Sequence, residues 1–135
     1  MPDVTVKKVQ DIDAIFHGAF KRAGDDLGVG AFGVNVIDFP PDTGEGTYPH
    51  HDHSHDDQEE VYLAWSGSGV ITIGDEEVAL DTDTLVRVGP GEKRKIRAGS
   101  DGLRLLALGG VPGRAYERPE PFKTTTPDPT VQPQT

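Results

Sequence analysis

Between residues 31 and 110, short β-branched runs alternate with turn-forming clusters, and that rhythm leaves few folds open. The runs are Phe32–Phe39, Glu59–Trp65, Val70–Ile73, Val78–Leu80, Thr84–Val88, Lys93–Ala98 and Leu103–Leu108. Between them lie Pro40–Gly46, Ser66–Gly69, Gly74–Glu77, Gly89–Gly91 and Gly99–Gly102, each rich in residues that turn a chain. Strands recurring about every 8–12 residues predict an all-β sandwich or barrel. The 17 glycines and 11 prolines of the chain suit that architecture better than a helical bundle.

The flanks read differently. Residues 4–10 are expected to be extended. Asp11 is placed to cap a helix over residues 12–23, with Ile12, Ile15, Phe16, Ala19 and Phe20 on one face and Gly24 as its stop. His17 falls on that helix as a surface histidine. After Gly110 the composition shifts to proline, at positions 112, 119, 121, 127, 129 and 133. This predicts an irregular arm anchored by Tyr116 and Phe122, then a disordered tail from Lys123 to Thr135. At 135 residues the chain is one folding unit. It divides into an N-terminal strand and helix extension (1–30), a barrel (31–110) and a proline-rich arm and tail (111–135).

Composition removes several function classes. There is no cysteine, so disulfides, thiolate zinc sites and cysteine nucleophiles are excluded. The 13 basic and 23 acidic residues leave a net charge of −10, which argues against nucleic acid as a partner. No secretory signal pattern and no membrane-length apolar run is present, so a soluble cytoplasmic protein with no membrane partner is expected. No phosphate loop and no nucleophile–histidine–acid triad appears. The basic residues are unevenly spread. Lys and Arg are missing from Gly24 to Val86, and then Arg87, Lys93, Arg94, Lys95 and Arg97 follow closely. One reading is a solvated basic strand; the other turns one of these groups inward to meet an anionic ligand.

The sharpest chemical signal is the segment from Tyr48 to Tyr62. It carries His50, His51, His53 and His55, and then Glu59 and Glu60 at the head of a strand. Strand side chains alternate between faces, so His51, His53 and His55 share one side and His50 takes the other. Two such imidazoles and a carboxylate from the next strand supply converging ligands for a divalent transition metal, with zinc, manganese, iron and nickel as candidates. The bland alternative is a hydrated His- and Asp-rich loop.

On these residues the chain resembles the cupins, in particular the small single-domain, conserved-barrel type. The family's first motif joins His-x-His to a glutamate and a glycine. His53-Ser-His55, Glu60 and Gly67 match it, with four residues between His55 and Glu60 and six between Glu60 and Gly67. A second register, through Tyr48-Pro-His-His51-Asp-His53, makes His51 and His53 the pair. The resemblance covers about residues 31–110. It implies an all-β, cupin-type double-stranded β-helix, or jelly-roll barrel, with a short N-terminal helix and an irregular tail. It also implies a metal at the barrel mouth and a homodimer. The expected ligands are His51, His53 and Glu60, with His55 as an alternative or additional one. Glu60 outranks Glu59 because Tyr62 and Ala64 share its strand face.

The second cupin motif departs from the pattern. Gly89 stands where a proline is usual, and Arg94 where the fourth metal ligand, a histidine, is usual. Arginine keeps its proton and offers no lone pair. The metal could therefore keep three protein ligands, or draw on all three of His51, His53 and His55. It could also be lost, leaving Arg94 to grip a carboxylate or phosphate. Besides a structural or scavenging protein whose surface His-Asp tract takes up metal loosely, two functions remain open. One is metal-dependent oxygenase, isomerase or lyase chemistry on a small, acidic, oxygen-bearing molecule, with Glu59 or Tyr62 moving a proton. The other is a non-enzymatic binder of a small anion, held by Arg94, Tyr62 and Glu59. Trp65, Phe39 and the leucines of the 103–108 run are read as core or interface.

Overall fold

The computed structural model describes residues 2–44 and 57–131. Its strands are β1 (Ala14–Ile15), β2 (Phe20–Lys21), β3 (Gly33–Phe39), β4 (Glu59–Ile73), β5 (Glu76–Leu80), β6 (Val86–Val88) and β7 (Arg94–Gly110). They form one antiparallel sheet in the order β1-β2-β3-β7-β4-β5, with β6 added to β4. The histidine segment, expected to open a strand, lies outside the described residues.

β4 and β7 are each longer than the sequence predicts. Ser66–Gly69 and Gly99–Gly102 were expected to end strands, yet β4 runs through the first and β7 through the second. The two strands pair from Glu59 opposite Gly110 to Ile73 opposite Arg94, with irregularities between Ala64 and Ser66 and between Gly67 and Gly69. Bulges of this kind bend a strand and tighten its twist. Gly67 (φ 76°) lies against Gly102, where a Cβ would run into the Gly102 carbonyl oxygen. The glycines that read as turns therefore mark a bend shared by two paired strands. Because the ribbon folds over there, its two halves face one core. Tyr62, Ala64, Leu105 and Ala107 from one half pack with Ile71 and Ile96 from the other.

Inward residues alternate as a half-buried strand requires. Along β4, Glu60, Tyr62 and Ala64 are buried. Along β7, Arg94, Ile96 and Ala98 are buried before the bend, and Leu103, Leu105 and Ala107 after it. Phe39, Leu103 and Leu105 belong to the core, as expected. Trp65 does not: it is 49% exposed on the outer surface, with the Arg104 guanidinium 5.5 Å from its ring centroid.

The expected helix over 12–23 does not form. Asp11 closes a 3-10 turn, Val9–Asp11, and makes no side-chain cap, and the following residues make the β1–β2 hairpin. Its tip holds Phe16 (φ 57°) and His17 (φ 60°) in left-handed backbone, a conformation a helix cannot contain. Asp128 helps to hold the tip by accepting a hydrogen bond from the Phe16 amide at 3.2 Å. The short helix of the N-terminal region is α1 (Ala23–Leu27), which includes Gly24 and ends at Gly28. His17 is exposed, as expected.

The C-terminal segment is more ordered than its composition predicts. Arg22, only 3% exposed, donates to the carbonyls of Lys123 at 2.6 Å and Thr126 at 2.7 Å while its Nε holds Asp13. Asp25 accepts from the Thr124 amide at 2.6 Å and pairs with Arg118. Phe122 stacks on Phe20 with ring centroids 5.4 Å apart, and Tyr116 lies against Gly33, so both expected anchors make contact. Carbonyls that a tail would offer to water are instead satisfied by a buried guanidinium, which ties Lys123 and Thr126 to Arg22. Among the described residues, no helix is long and apolar enough to cross a membrane.

Candidate functional site

Among the apolar side chains of the barrel, three ionisable or hydroxyl-bearing ones from two strands meet. Glu60 and Tyr62 lie two residues apart on the inward face of β4 and so point the same way. Arg94 starts β7, on the same face as Ile96 and Ala98. Along the β4–β7 ribbon, Arg94 is paired with Ile73 at one end and Glu60 with Gly109 near the other. Their side chains nevertheless touch, because the bent ribbon closes on itself.

The contact is a buried ion pair. Arg94 Nη1 donates to Glu60 Oε1 at 2.7 Å, with the two side chains 0% and 8% exposed. The Tyr62 hydroxyl donates to the same oxygen at 2.5 Å. The rest of the guanidinium is also engaged. Nε donates to the Glu92 carbonyl at 3.0 Å, and Nη2 to the carbonyls of Gly89 at 2.7 Å and Glu92 at 2.8 Å. Nη1 also lies 3.5 Å from the Tyr62 hydroxyl. A guanidinium has five N–H donors, and the protein itself supplies acceptors for them. Gln58, 1% exposed and just ahead of β4, lies beside Gly109, and Asn35 on β3 is buried as well.

The expected site residues thus fall into three groups. Glu60, Tyr62 and Arg94 come together. Glu59 alternates to the outer face and pairs with Arg87 at 2.5 Å, apart from the cluster. His51, His53 and His55 lie outside the described residues. Sequence reasoning passed over Gln58 and the mutual contact of Arg94 with Glu60. Strand parity was the available signal, since Gln58 is in phase with Glu60 and Tyr62, and Arg94 with Ile96.

The residues present can be tested against the metal that the resemblance implies. Among the described residues, no group of three or more His, Asp or Glu gathers as a metal site. Glu60 Oε1 is already engaged by a cation and a phenol. A dication on this carboxylate would sit on the order of 5 Å from the guanidinium. At an effective dielectric of about 20 the repulsion is roughly 7 kcal/mol. Arg94 and Glu60, as arranged, do not fit a metal held on Glu60.

A second concave feature lies elsewhere among the described residues. An open groove of about 480 Å³ runs over the outside of the sheet, lined by His17, Asp38, Phe39, Ser66, Leu103 and Arg104 among others. Asp38 there is paired with Lys21 at 3.0 Å and Arg104 at 2.8 Å. Burial works to raise its carboxyl, but hydrogen bonds from Arg104 and Lys21 hold it below the ordinary range. The groove is wide and its ion pairs satisfy one another, so the barrel cluster is the better candidate site.

Fold and cluster together define a jelly-roll barrel closed around an internal guanidinium–carboxylate–phenol network. A cupin protein from Bacteroides fragilis superposes with a TM-score of 0.67 at 26% identity, over 98% of this chain and 99% of that one. The cupin domain of Cnp3 from Schizosaccharomyces pombe gives 0.52 at 17% identity, over 60% of this chain and 53% of that one. A predicted oxalate decarboxylase from Thermotoga maritima gives 0.52 at 20% identity, over 60% and 68%. The chain belongs to the cupin superfamily. No family model and no curated protein matches its sequence.

Proposed function

We propose that this cupin binds a small oxygen-bearing molecule at the polar end of its barrel, where β4 follows directly on the histidine segment. The observation that carries this reading is the cluster of Gln58, Glu60, Tyr62 and Arg94 within a barrel lined elsewhere by Ile71, Leu80, Val88, Ile96 and Leu105. Ligand sites in proteins are mostly apolar walls with a few placed polar groups. Arg94 spends its donors inside the protein, so its part is to hold the Glu60 carboxylate in place rather than to grip the ligand. The imidazoles of His51, His53 and His55 supply the direct hydrogen bonds in this reading.

A second reading is metal-dependent chemistry on such a molecule. It is favoured by the alternation of His51, His53 and His55 ahead of Glu60. A screen of small organic acids and sugars by thermal shift, followed by incubation and recovery of each hit, separates the two. A bound molecule returned unchanged, with binding lost in His53→Ala, supports the binder. A recovered product supports the enzyme. If nothing in the panel binds and no small molecule co-purifies, both readings fail.

A further inference from the structure

We infer that the Arg94 guanidinium is the resident counter-charge of Glu60, and that Glu60 is a structural partner of arginine rather than a metal ligand. Three observations carry this. First, Arg94 is fully buried and Glu60 nearly so, and a buried charge is retained only when it is paired. Second, the donors of the guanidinium are taken up within the protein. Glu60 Oε1 receives both Arg94 Nη1 and the Tyr62 hydroxyl, while Nε and Nη2 are spent on the carbonyls of Glu92 and Gly89. Third, the pair joins the start of β7 to the start of β4 across the closed ribbon. The fixed positive charge both satisfies the carboxylate and repels a dication from it.

The inference does not depend on which small molecule the barrel takes, or on whether it is transformed. It is tested with metals alone, by calorimetric titration of the full chain with zinc, manganese and nickel, and by elemental analysis after gel filtration. Wild type is compared with Glu60→Gln, with Glu60→Gln/Arg94→Met and with Arg94→His. Circular dichroism and cooperative melting establish that each variant is folded. The expected result is that Glu60→Gln changes metal affinity less than about threefold, or that neither protein binds metal. Arg94→His removes the repelling charge and adds a lone pair, so it is expected to bind at least tenfold tighter than wild type. Loss of threefold or more affinity in folded Glu60→Gln overturns the inference. The double variant takes that place in the comparison if the single one does not fold. A folded Arg94→His that gains no affinity overturns it too.

Discussion

Replacing Arg94 with methionine tests the internal network most directly, because it removes the charge and most donors while keeping much of the volume. The side chain is fully buried and donates to Glu60, Gly89 and Glu92, with Tyr62 at the edge of reach. Its loss takes the guanidinium away from the buried Glu60 carboxylate and from two backbone carbonyls. Breaking a buried ion pair from one side typically costs about 3–5 kcal/mol. A domain of this size loses roughly 3–5 °C in Tm per kcal/mol, so the melting point is expected to fall by roughly 10–20 °C. Urea unfolding followed by circular dichroism gives the free energy, and an unchanged slope shows that the two end states are comparable. Because much of the cost is that of a buried carboxylate deprived of its guanidinium, Glu60→Gln/Arg94→Met should recover at least half of it, giving a large coupling term in the double-mutant cycle. An Arg94→Met protein within about 1 kcal/mol of wild type would refute this reasoning. So would a double variant no more stable than that single one.

Two further outcomes are expected. Gly67→Ala must place a Cβ against the Gly102 carbonyl in left-handed backbone, whereas Gly74→Ala, also left-handed, meets open space. Gly74→Ala should cost about 1 kcal/mol and Gly67→Ala at least about 2 kcal/mol more in urea unfolding; equal losses would contradict the shared bend. The second concerns acid. The Thr124 amide, opposed by burial and aided by the Thr124 hydroxyl and Arg118, holds the Asp25 carboxyl below its ordinary value of 3.8. The Lys7 ammonium and the Asp13 amide do the same for Asp26. A depressed folded value means that the stabilisation is complete above about pH 3.8 and is lost as pH falls through the lower folded value. Urea midpoints should therefore be flat near pH 6 and drop in the acid range. Asp25→Asn should flatten part of that drop, and an unaltered acid limb would count against the Asp25–Thr124 contact.

The strand pattern was legible because a two-residue period survives in short segments. Glu60, Tyr62 and Ala64 were placed on one face by alternation, and all three are buried. Two features misled. Ser66–Gly69 and Gly99–Gly102 carry the composition of turns, but glycine serves equally where two paired strands bend together, and sequence does not separate these uses. In the 12–23 stretch, Ile12, Ile15 and Phe20 match a helical face by spacing. Yet Ile15 and Phe20 reach the barrel core from two short strands, and Ile12 joins a separate cluster with Ala23 and Val36. What decides that hairpin is distant in sequence, as with the Asp128 carboxylate on the Phe16 amide, and no local pattern encodes it.

Arg94 shows where the same alternation could have been pressed further. Its residue type argues for solvent, and surface arginines are the common case. Its phase argues for the core, since Ile96 and Ala98 follow at two-residue steps in a strand with no irregularity between them. When type and phase disagree in a strand, an inward charge must have a partner, and the candidates are acidic residues in phase on a neighbouring inward face. Between Glu59 and Glu60 only the second qualifies, because Glu59 shares its phase with half-exposed Val61 and Leu63. The Arg94–Glu60 pair was thus implicit in two parities. What the sequence could not supply was the closure of the ribbon that brings the start of β7 to the start of β4.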